Sequence, residues 1–150
     1  MSDAEIMRAV LIEGAIGGAV LALLAFLLSK FVRDVVGRTL LATVLFAAAG
    51  AYLGFAFQGG VSRLWLLVEV LQCIAFGTLG LYGWRSNAKW LALGWALHPL
   101  WDFVVHYVGP GRAFAPWTYA IACITYDWVV AAYVLIYYRG ASRLTPSPER

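Results

Sequence analysis

Charged residues are scarce in this chain: 13% of its 150 positions are Asp, Glu, Lys or Arg, against 63% hydrophobic. That scarcity excludes several classes at once. The 11 basic residues barely outnumber the 8 acidic ones and gather between apolar runs, which is no footprint for nucleic acid. Only two cysteines occur, Cys73 and Cys123, both inside apolar segments. They read as buried thiols behaving like small hydrophobes, not as a disulfide framework. No small-residue cleavage site follows the first apolar run, so the opening stretch reads as a retained helix and not a signal peptide. No repeat suggests inverted halves, so the usual transporter architecture has no support. What is abundant is apolar sequence, and a composition this far from that of soluble chains points to a membrane protein.

Five segments are long enough to cross a hydrocarbon core, which takes about 20 helical residues. They lie near 5–28, 39–57, 63–83, 90–108 and 117–138, and the connections between them carry Gly, Pro or charge. The expected fold is therefore all-α, one polytopic bundle of five transmembrane helices over 1–138, with a polar, Pro-containing tail at 139–150 expected to be disordered. Basic residues set the expected orientation. Lys30, Arg33, Arg38, Arg85, Lys89, Arg139, Arg143 and Arg150 fall on one side of such a bundle, and Arg8, Arg63 and Arg112 on the other. The bias of Lys and Arg toward the cytoplasm then places the N-terminus outside and the C-terminus in the cytoplasm of a plasma or inner membrane.

Against this apolar background, the stretch 94–111, GWALHPLWDFVVHYVGPG, carries three ionisable side chains. His98, Asp102 and His106 recur every four residues. On an α-helix each such step rises about 6 Å and drifts about 40°, so the three share one stripe. A charge at bilayer depth costs about 2.5 to 3.5 kcal/mol on insertion scales, so such a stripe is expected to face the interior of a bundle. Glu13 and Glu69 fall toward the same outer level and Asp127 near the middle of the last segment. These positions predict a polar cavity between helices one, three, four and five, opening outward, while the inner half holds no ionisable group. Gly14 with Gly18 and Gly50 with Gly54 form small-xxx-small pairs, which serve either packing within the chain or a homodimer.

Two chemistries suit these residues. His98, Asp102 and His106 are acceptable ligands for a divalent metal such as zinc or iron, with Asp127 or Glu69 completing the shell. Because helical side chains lean toward the N-terminus, the natural pair is Asp102 with His106, and His98 joins them only if Pro99 kinks the helix. Metal-free acid–base chemistry is the second option, with Asp102, His106, Asp127 and Glu69 as the catalytic set, because a carboxylate beside an imidazole fixes its tautomer and raises its basicity. The acid–base arrangement also suits a proton path, but the leading reading is an enzyme acting on a lipid or isoprenoid-like substrate by hydrolysis, isomerisation or cyclisation, with membrane lipids as partners. The rival reading is a non-catalytic carrier of protons, ions or small solutes, or a subunit of a larger membrane complex.

The run His98-Pro99-Leu100-Trp101-Asp102, then His106, a Gly-Pro-rich loop, and Cys123 four residues before Asp127 resembles a family of small multi-pass membrane proteins known only as a domain of unknown function. The likeness extends from the second helix onward. Tyr126 stands where a second Cys is expected before the Asp. In residue types alone, the buried His and Asp are also similar to the intramembrane hydrolases of the alkaline ceramidase and lysoplasmalogenase superfamily, which implies metal-assisted hydrolysis. Buried acids give a further analogy to small membrane-embedded terpene cyclases.

Overall fold

The computed structural model describes residues 2–141, with side chains through Tyr138, and every regular element in it is helical. Five α-helices follow one another: α1 (Asp3–Phe31), α2 (Asp34–Gln58), α3 (Arg63–Arg85), α4 (Ala88–Trp101) and α5 (Trp117–Ala141). α4 runs straight into a π-helical turn, Asp102–Tyr107, and a 3-10 turn, Pro110–Ala113, precedes α5. The tail expected from 139 lies outside the described residues from 142 onward, and 139–141 continue α5.

Local signals set the helix starts. Ser2 and Glu5 form a reciprocal capping box at α1, Ser62 caps α3 through the Trp65 amide, and Asn87 caps α4 through the Lys89 amide. The first connection is far shorter than the expected loop: only Val32 and Arg33 separate α1 from α2. Charged residues there do not break the helices. Lys30 sits in the last turn of α1 and Asp34 in the first turn of α2, where each complements the helix dipole.

Each helix packs against its neighbour in sequence, and α5 returns to pack on α1, closing a ring. Glycines let the seams close. A Cβ on Gly14 would run into the Ala122 carbonyl and one on Gly18 into the Tyr126 carbonyl, so these two spend their small size on the α1–α5 contact within the chain. At one end of the ring the interior is an apolar core of Leu41, Leu45, Leu91, Val130 and Val134, closed by the Ser29 and Tyr138 hydroxyls at 3.0 Å.

The exterior is the reverse of a soluble surface. Ile16, Leu23, Phe46, Leu71, Val104 and Ile136 are all exposed, forming an apolar belt that water would not tolerate. α1, α2, α3 and α5 are each long and apolar enough to cross a membrane. α4 alone is too short, with 14 residues, and reaches further only by continuing into the π turn.

Candidate functional site

At the end of the ring away from the Ser29–Tyr138 contact, the buried side chains become ionisable. Glu69, His98, Asp102, His106 and Asp127 have no exposed surface at all. Pro99 prepares the local backbone: it has no N–H to give the Trp95 carbonyl, and three residues later the chain widens. From Asp102 the helix makes bonds spanning five residues, seen in Val108 N–H to the Phe103 carbonyl at 3.0 Å. Such a turn holds more than four residues, so the step from Asp102 to His106 falls short of a full revolution instead of overshooting it. The drift of the preceding α-helical step is thereby reversed, which keeps His106 in the interior.

This geometry changes the expected pairing. Asp102 does not pair with His106. Its Oδ2 lies 3.4 Å from His98 Nδ1, and the same nitrogen is at 2.7 Å from Asp127 Oδ2 on α5. Thus one imidazole is held between two carboxylates. His106 turns to α3, where its Nε2 is 3.6 Å from Glu69 Oε2. That separation exceeds a hydrogen bond, and neither nitrogen of His106 has a partner.

Between the two centres stands a residue the sequence did not flag. Tyr52 of α2 is fully buried and stacks on His106 with ring centroids 3.8 Å apart and planes 11° from parallel. Its hydroxyl lies beside Asp102, as does the Cys123 thiol, in contacts that fall short of hydrogen-bond geometry. Phe55 and Tyr119 meet Tyr52 edge-on, and Phe76 meets His98 edge-on at 4.9 Å. The site therefore lies between α2, α3, α4 and α5. α1 contributes no ionisable group to it, and Glu13 is exposed on the outside of the bundle.

Nor is the site an open cavity. The chain after the π turn folds over its end: Phe114 lies edge-on to His106 at 5.8 Å, and Gly111 is packed so closely on the imidazole that a Cβ there would come within 2.5 Å of Nδ1. Phe114 in turn contacts Trp65 of α3, closing the cap across the ring.

Donor atoms of His98, Asp102, Cys123 and Asp127 all lie within 4.8 Å of one another, and all four residues are buried. His106, expected among the metal ligands, is not in this group. Cys123, read as a small hydrophobe, is. The signal that could have found it was its position one helical turn before Asp127. Gln72 is buried nearby but spends its amide on the Ala49 carbonyl at 2.6 Å, which ties α3 to α2.

The sequence model of a family of unknown function, DUF6010, matches residues 13–142, so the chain belongs to that family. No curated protein and no solved structure matches it.

Proposed function

We propose that this family member is a membrane-embedded enzyme performing acid–base chemistry on a lipid or isoprenoid-like substrate, with His106 as the proton-transferring group and Glu69 as the carboxylate behind it. The observation that carries the reading is the state of His106: a fully buried imidazole with a carboxylate 3.6 Å from Nε2, Gly111 against Nδ1 and no hydrogen bond on either nitrogen. A purely structural histidine at this depth would be tied to a neighbouring helix. If substrate displaces the Gly111–Phe114 cap, the imidazole can take a proton at Nδ1, with the Glu69 carboxylate near enough to Nε2 to balance the charge that forms. His98, locked by Asp127, holds the wall of the site, and Tyr52 positions the His106 ring by stacking. The aromatic lining of Tyr52, Phe55, Phe114 and Tyr119 suits an apolar substrate.

In this reading the single domain crosses the bilayer five times, α4 with its π turn completing the fourth crossing. The distribution of Lys and Arg supports an orientation with the N-terminus and the capped site outside. Transport of protons has less support, because the other end of the ring interior is lined by Leu41, Leu91 and Val134.

The test is turnover by protein reconstituted in vesicles with extracted lipids, followed by mass spectrometry. Wild type should consume at least one lipid or isoprenoid species that His106→Phe and Glu69→Gln leave untouched. Unchanged lipids with folded wild type, or equal turnover by His106→Phe, would remove the proposal. Labelling of single introduced cysteines at 60 and 87 from either side of the membrane tests the orientation.

A further inference from the structure

We infer that His98, Asp102, Cys123 and Asp127 form a binding site for a divalent transition-metal ion, with zinc as the ion best matched to the donors. The inference is independent of the acid–base proposal, whose residues His106 and Glu69 stand outside the set.

The donors come in two pairs, each one helical turn apart, from two helices packed directly on each other: His98 and Asp102 along α4 and the start of its π turn, Cys123 and Asp127 on α5. Tetrahedral zinc with bonds of 2.0 to 2.3 Å puts its ligand atoms about 3.3 to 3.8 Å apart. The four donor atoms fall within 4.8 Å of one another, and His98 Nδ1 is 2.7 and 3.4 Å from its two carboxylates. An ion at the centre needs the widest spacing to contract by about 1 to 1.5 Å and the shortest to open by about 0.6 Å, shifts within reach of side-chain rotation.

Unsatisfied atoms are a second, separate observation. Both oxygens of Asp102 lack hydrogen-bond partners although the residue has no exposed surface. Buried polar atoms are normally satisfied, and orphans gathered in one place call for a ligand. The mixture of imidazole, thiolate and carboxylate suits zinc before harder cations such as magnesium or calcium, which prefer oxygen alone.

The experiment measures metal in protein purified in mild detergent without a polyhistidine tag, for wild type, Asp102→Asn, Cys123→Ser and His106→Phe. Elemental analysis should find about one equivalent of zinc per chain in wild type and His106→Phe, and less than a tenth of that in Asp102→Asn. Replacement by cobalt should give the visible absorption of a four-coordinate ion, with a thiolate charge-transfer band that Cys123→Ser lacks. Cys123→Ser, a near-isosteric change, guards against misfolding of the Asp102 variant, and monodispersity in gel filtration is required of each. Metal-free wild type after growth with added zinc, full retention by Asp102→Asn, or loss by His106→Phe equal to that of Asp102→Asn would each overturn the site. Lipid turnover by metal-free protein would leave the acid–base reading standing and this one refuted.

Discussion

His98 and His106 lie on one continuous stretch of chain and are equally buried, yet the bundle holds them in different ways. His98 sits on regular α-helix at hydrogen-bond distance from Asp127 and within 3.4 Å of Asp102. His106 sits on the π turn, 3.6 Å from Glu69, with its face on Tyr52. Polar contacts hold the first ring, and an aromatic surface holds the second. In an apolar surrounding, polar contacts between helices are what a bundle uses to fix position, whereas a stacked and unbonded ring keeps its nitrogens free for chemistry. The first centre therefore reads as the more costly to break and the second as the more costly to inactivate.

The largest effect should come from breaking the first centre. Asp127→Ala strands the His98 imidazole and should lower stability by about 4 kcal/mol, measured by thermal unfolding in detergent. A loss under about 1 kcal/mol would mean that Asp102 alone suffices and that the two centres differ less than their distances suggest. Next comes Tyr52→Ala, which removes the surface under His106 and leaves a void at the middle of the ring. About 3 kcal/mol should be lost. Tyr52→Phe should recover most of it, because the stack survives and only the hydroxyl beside Asp102 is gone.

His106→Phe draws the contrast most sharply. It removes two unpartnered nitrogens and keeps the ring, so stability should stay within about 1 kcal/mol of wild type while lipid turnover disappears. Equal loss of fold and activity would make His106 a structural residue. The smallest effect is expected at the far end, where Ser29→Ala removes one hydroxyl contact with Tyr138 and should cost about 0.6 kcal/mol with turnover intact.

Much of this arrangement is legible in the sequence. Apolar runs punctuated by Gly, Pro and charge mark out five helices, and the acids and histidines deep within the last three runs, Glu69, His98, Asp102, His106 and Asp127, are the ones the bundle buries. The pairing was not legible, because it depends on a departure from α-helical phase. Regular geometry offers Asp102 both His98 and His106 at intervals of four, and the π turn sends His106 to Glu69, which leaves Asp102 with His98. Glu13 looks like part of the same polar level in a depth count, but depth says nothing of which way a helix faces, and the α1–α5 glycine contact turns Glu13 outward. Tyr52 lies in the apolar run 39–57, which holds no charge and where an aromatic is indistinguishable from lipid-facing surface. Cys123 is a partial case: its place one turn before Asp127 stands out in the sequence, but its part in a donor cluster depends on the neighbouring helix supplying His98 and Asp102.

A π turn is, in effect, an α-helix that has accepted one surplus residue, so the segment from Asp102 to Tyr107 behaves as a vernier between two scales. Deleting a single residue such as Val104 should restore ordinary winding while the chain beyond Tyr107 keeps its direction, because the turn already absorbs about one residue's rotation of roughly 100°. The first centre would keep its ligands, and the cap of Gly111 and Phe114 would still meet the end of the ring. Among relatives of this chain, a one-residue gap at that place would mark sequences that dispense with the surplus residue, and whether they also lack the second imidazole would show what that residue is for. An alignment could then sort the family by chemistry before any substrate is known.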